Sequence, residues 1–121
     1  MVYKKRESFQ TRISNVDDET KSYYDKLVAK LLSYKKLKSR VSLRCVSFRQ
    51  GRKLMAKIAL GGKTLKLYLA IDPNLAELSE GKYHPRDLSE TKAYEEVPTM
   101  LPIKSDLAVR KACQVIDMMM Q

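Results

Sequence analysis

Apolar and polar residues alternate through residues 6–13, with Phe9, Thr11 and Ile13 on one side and Ser8, Gln10 and Arg12 on the other. A period of two predicts a first strand there. Asn15, Asp17 and Asp18 then supply helix-start signals, and Tyr24, Leu27, Val28, Leu31 and Leu32 recur at helical spacing as far as about Tyr34. Three strands follow, over 41–48, 53–60 and 64–71. Gln50-Gly51 and Gly61-Gly62 separate them, and two-residue loops containing glycine favour hairpins because the tight primed turns need positive φ. Patterning weakens beyond Asp72-Pro73: residues 74–81 read as a short helix or a loop, and residues 82–97 as a short strand around Tyr83 with a turn or helix near 88–94. Residues 99–104 read as a last strand. Ser105 caps a closing helix whose Val109, Ala112, Cys113, Ile116, Met119 and Met120 share one face.

The expected fold is α+β: a mainly antiparallel sheet with a three-strand meander and two amphipathic helices packed on one face, forming one domain over residues 1–121 with residues 1–5 disordered. If both loops are two residues long, Ile58 faces Leu65 and Cys45 faces Ala56. Alternation then sends Val41, Leu43, Cys45, Leu54, Ala56, Ile58, Leu60, Leu65, Leu67, Leu69 and Ile71 to the core. The other face collects three rows: Arg44, Lys57 and Lys66; Val46, Met55 and Tyr68; Phe48, Lys53 and Ala70.

Charge changes this picture. Of the 24 Lys and Arg residues, thirteen lie between Asp25 and Asp72 with no acid among them, while the remaining eleven share the rest of the chain with all 14 Asp and Glu. The net charge of +10 therefore belongs to one contiguous segment, which favours a polyanionic partner over a generally basic surface. Lysines on an outer sheet face also keep it soluble and block edge pairing, so no single one of them identifies a site.

Chemistry-bearing motifs are sparse. Cys45 and Cys113 are the only cysteines and each falls in an apolar pattern, which predicts two buried free thiols rather than a disulfide or zinc framework. His84, the single histidine, lies next to Pro85 with no cysteine near it, and a metal site built on it is not expected. Gly61-Gly62-Lys63-Thr64 lacks the upstream glycine and the following helix of a phosphate loop. Asp72 with Glu80-Gly81-Lys82 is the one arrangement in the style of a metal-dependent nuclease, but Glu-x-Lys recurs at Glu19 and Glu90 and the intervening loop is short. No cofactor is indicated, and a catalytic function is not. No apolar run approaches the ~18 residues of a membrane span, and the basic start has no apolar segment behind it, so a cytoplasmic location without membrane contact is expected.

The run from Arg44 to Arg52 (RCVSFRQGR), with Ala56-Lys57, Gly62-Lys63-Thr64-Leu65, Leu67-Tyr68-Leu69-Ala70 and Asp72-Pro73, resembles an uncharacterised bacterial domain common in Firmicutes and sometimes repeated in tandem. Ser33-Tyr34-Lys35, Val97-Pro98 and Ile103-Lys104-Ser105-Asp106 match in order. The resemblance implies no activity. More distantly, the layout is similar to MmcQ/YjbR-like domains, for which DNA binding has been proposed, and this likeness transfers no residues.

The residues themselves point to a non-enzymatic domain that binds DNA or RNA largely independently of sequence. Arg44, Lys57 and Lys66 would contact phosphates, Phe48 and Tyr68 would stack or make apolar contacts, and Arg49, Arg52, Lys53 and Lys63 would lie at the rims. A protein-interaction module docking an acidic partner protein is the competing expectation. A small-ligand domain using the stretch from Asp72-Pro73 to Pro98 as a lid is a third.

Overall fold

Ser8 and Asp17 start the two N-terminal helices. A computed structural model describes residues 8–61, 64–72, 86–88 and 90–120, and in it α1 (Phe9–Ser14) stands where a strand was expected. Phe9 and Ile13 are four residues apart, a spacing that fits one face of a strand and one face of a helix equally well. The cap decides: Ser8 Oγ accepts from Thr11 N at 3.2 Å, and Phe9, buried, also donates its N–H to Leu43 O at 2.7 Å. In α2 (Asp18–Leu32) Asp17 accepts from Thr20 N at 2.9 Å, and Asp18 and Glu19 complement the helix dipole. Its buried stripe is Thr20, Tyr23, Leu27 and Leu31. That stripe is rotated from the expected one, leaving Tyr24 and Val28 half-buried and Leu32 exposed.

Residues 41–48 do not form one strand. They fold into a hairpin corner: β1 (Lys38–Val41) pairs antiparallel with β2 (Cys45–Gln50), and Ser42 N bonds Cys45 O at 2.8 Å across the turn. β3 (Lys53–Gly61), β4 (Thr64–Leu69), the two-residue β5 (Arg86–Asp87) and β6 (Thr99–Ile103) complete an antiparallel sheet in the order β1-β2-β3-β4-β6-β5. A 3-10 turn, Lys92–Tyr94, precedes β6. The expectations for 1–5, 74–81, Tyr83, His84 and Lys63 fall outside the described residues.

α3 (Asp106–Met120) opens with Ser105 Oγ accepting from Ala108 N at 3.1 Å, and it buries Val109, Ala112, Val115 and Ile116. Cys113 is only partly buried, whereas Cys45 is buried as expected, and both are free thiols. Both long helices lie on one face of the sheet, packed on Ile58, Leu60, Leu65, Leu67, Leu69, Leu101 and Ile103. The fold is α+β, with the helical layer on that side. Lys26 to Asp106 at 2.8 Å and Lys30 to Asp117 at 2.7 Å join α2 to α3, and Tyr34 donates its hydroxyl to the same Asp117 carboxylate.

Register departs from the expectation at both turns. The second hairpin closes at Gly61↔Thr64, one residue later than expected, and places Leu60 opposite Leu65. The first closes at Gln50↔Lys53 around Gly51-Arg52, with Gly51 at φ 63. The pairing then jumps from Arg49↔Leu54 to Phe48↔Ala56, so Met55 is an extra residue in β3. A bulge of this kind reverses the side-chain parity of the partner strand beyond it. As a result Val46, Phe48 and Met55 enter the main core, while Cys45 and Leu54 go to the opposite face.

Phe48 has 0% exposure. Phe48→Ala should therefore lower stability by about 3–5 kcal/mol in urea unfolding. A side chain held at the surface would lose under ~0.5 kcal/mol, so an unchanged midpoint contradicts the core placement. The Asp117 carboxyl is held below its ordinary value of 3.8, first by the hydrogen bond from Lys30 and then by that from Tyr34. A depressed carboxyl contributes stability that is present at neutral pH and lost as pH falls through its folded value. Asp117→Asn should flatten the acid limb of the stability curve, read from thermal melts between neutral and strongly acidic pH.

Candidate functional site

Opposite the helical layer, the outer sheet face carries five of the thirteen clustered cations. The expected row of Arg44, Lys57 and Lys66 is not formed. Lys57 lies between Ser47 and Tyr68, Lys66 lies between Ala59 and Pro102, and Arg44 is exposed in the turn between β1 and β2. The later closure of the second turn and the bulge at Met55 move these positions apart. Directly opposed like charges cost several tenths of a kcal/mol per pair as a rough scale, and the observed register separates Lys57 from Lys66 along a diagonal.

Two cations absent from the expected site arrive through β1. Lys38 pairs with Arg49 and Arg40 with Ser47, so alternation places Lys38, Arg40, Arg49, Lys57 and Lys66 on the same face. Arg40, Ser47, Lys57 and Tyr68 run in one row across four strands. The signal is present as Lys-Ser-Arg-Val alternation, but it follows Lys35 and Lys36 directly and lies ahead of the strand expected from residue 41. Arg49 and Lys38 are directly opposed, and Arg49 Nη1 turns toward the hairpin end to donate to Arg52 O at 3.2 Å.

Lys66 is positioned by a glycine. Gly61 lies inside β3 rather than in a turn, and a Cβ there would fall 2.4 Å from Lys66 Cε and 2.6 Å from Nζ. The bare backbone gives the lysine stem a place to lie on the sheet, half-buried, with its ammonium over β3.

Neither aromatic residue is free to stack on a ligand. Phe48 is in the core. Tyr68 does point to the outer face, but it is 6% exposed. Tyr94 covers it, the rings lying parallel within 3° at a centroid distance of 4.6 Å. Leu54, Val97 and Met100 surround the pair. The chain from Thr91 to Pro98 makes this cover, held by Val97 N to Tyr94 O at 3.0 Å and by Leu88 N to Pro98 O at 2.7 Å.

The rim cations divide as well. Arg52 and Lys53 line a cleft of about 540 Å³ whose other charged residues are Asp72, Glu95 and Glu96, over a floor of Leu54, Ala70, Ile71 and Pro98. Their charge is offset by three carboxylates along the same cleft, so they add less to the potential of the open face. Lys63 lies outside the described residues.

Among the described residues, no group of three or more His, Cys, Asp or Glu side chains is arranged to hold a metal ion, and no helix is long and apolar enough to cross a membrane. Glu80 and Lys82 lie outside the described residues. The face can hold anions by charge and hydrogen bonding.

Gly61→Ala should push the Lys66 ammonium off the strand while changing stability by under about 1 kcal/mol. Faster acylation of Lys66 by an amine-reactive ester, followed by peptide mass spectrometry, checks this; an unchanged rate contradicts the close approach. Comparison of the chain with protein-family models, curated proteins and solved structures gives no match, so a functional reading of this face stands on its geometry and charge.

Proposed function

We propose that the outer sheet face is a non-enzymatic nucleic-acid-binding surface that contacts the phosphate backbone without reading sequence. The observation that carries this is the set of five cations, Lys38, Arg40, Arg49, Lys57 and Lys66, on one face of β1 to β4, where the register places no acidic residue. Phosphates neutralise such a set and release counterions, which gives affinity with little base discrimination. The ion pairs joining α2 to α3 engage Lys26 and Lys30 and leave these five cations to the outer side. Arg44 extends the surface at the turn. Phe48 and Tyr68 are dropped from the contact set because both are buried. Membership of the Firmicutes domain that the sequence resembles belongs to the proposal too, and adds no residue to this face.

One observation favours a protein partner instead. Val41 and Leu43, 48% and 62% exposed, sit beside Arg40 and Arg44 at the turn between β1 and β2. Exposed apolar side chains next to cations suit an acidic partner protein with an apolar anchor better than they suit phosphates. Leu43→Ser separates the two readings: it leaves nucleic-acid affinity unchanged and weakens a protein complex.

With five phosphates neutralised, log affinity should fall against log salt with a slope of roughly −4 to −5. The double variant Arg40→Gln/Lys57→Gln should make the slope shallower by about 2, whereas Arg52→Gln, in the mixed-charge cleft, should change it little. Fluorescence anisotropy with labelled DNA and RNA at several salt concentrations measures both. No binding at low salt, or an unchanged slope in the double variant, overturns the proposal.

A further inference from the structure

The cover over Tyr68 bears on which nucleic acid the face takes. We propose that the surface selects duplex over single-stranded nucleic acid, because the chain's own Tyr94 occupies the position where an unpaired base would stack. This rests on the nucleic-acid reading above.

Single-strand binding surfaces combine cations with exposed aromatic rings, and each base stacked on such a ring strengthens binding by roughly 5- to 150-fold. Here, among the described residues, the one aromatic ring directed to the cationic face is already stacked, parallel and at 4.6 Å, on a ring from the same chain. The two residues that follow Tyr94 are Glu95 and Glu96, both exposed. They line the cleft beside Arg52 and Lys53, and their two negative charges would repel the phosphates of a strand brought to this end of the face. The segment thus presents a ring followed by two anions, the same order of groups as a nucleotide, and it closes this end of the face to single strands.

What stays open suits a duplex. The cations from β1 to β4 span three strand spacings, roughly 14 Å across. They form a two-dimensional patch rather than a single track. The major groove of a duplex is about 12 Å wide, so cations on β1 and on β4 can reach phosphates on its two sides. A single strand offers one row of phosphates and leaves part of the patch unpaired.

The test compares matched single-stranded and duplex DNA by anisotropy at equal phosphate concentration and low salt, for the wild-type chain, Tyr94→Ala, and Tyr94→Ala/Tyr68→Ala. Wild type should prefer duplex by about tenfold or more. Tyr94→Ala should raise single-strand affinity by about fivefold or more while leaving duplex affinity within about twofold, and the double variant should lose that gain. Circular dichroism confirms that the variants fold, and the wild-type comparison decides the matter by itself if they do not. Wild-type binding to single strands as tight as to duplex overturns this inference and leaves the phosphate-binding reading standing, as does a Tyr94→Ala variant that folds with an unchanged preference. Absence of binding to both forms overturns the two together.

Discussion

Met55 is the extra residue that β3 carries opposite the Phe48–Arg49 step of β2, and the constraint it imposes reaches both sides of the sheet. Strand side chains alternate with a period of two, so one unpaired residue changes which half of β2 meets the helices. On the inner side it brings Val46 and Phe48 against Ala56 and Ile58, completing the core under α2 and α3. On the outer side it brings out Ser47 and Arg49. β1 inherits the same parity through its pairing with β2, and for that reason Lys38 and Arg40 stand on the outer face.

The two faces are thus products of one register. A basic outer surface and an apolar inner surface are not separable features on these strands, because moving either by one residue exchanges them. Acidic groups are concentrated elsewhere: Asp106 and Asp117 engage lysines of α2 on the helical side, while Asp72, Glu95 and Glu96 gather at the cleft beyond the hairpin end. Between these, among the described residues, lies a cationic area on which β1 to β4 place no acidic residue. Repulsion between Lys38 and Arg49 across the first strand pair remains in the folded state, and an anion bound over them would relieve it.

The segment ahead of β6 gives the face a second character. Tyr94, Val97 and Met100 pack a small apolar cluster on Leu54 and Tyr68, outside the main core. This cluster closes the apolar end of the outer sheet and leaves charge as the main property of the rest. Under the proposed nucleic-acid reading, such a surface would discriminate by the shape and density of anions rather than by base identity.

Much of the scaffold was legible from the sequence alone. The Asp17 cap, the apolar spacing of α2, the Ser105 cap of α3 and the alternation of β3 and β4 are local signals, and the elements appear within a few residues of the expected places. Phe9 and Ile13 were ambiguous because their spacing satisfies both periods, and β1 was hidden behind Lys35 and Lys36, which follow α2. The acid-free basic segment was equally plain, since charge sums over a stretch without regard to its fold. Only the tertiary structure decided which cations share a face and whether the aromatics among them reach solvent. A bulge depends on the energy of two strands packing together and leaves no signature within either one. The burial of Tyr68 under Tyr94 joins residues twenty-six apart, and no local pattern specifies such a contact.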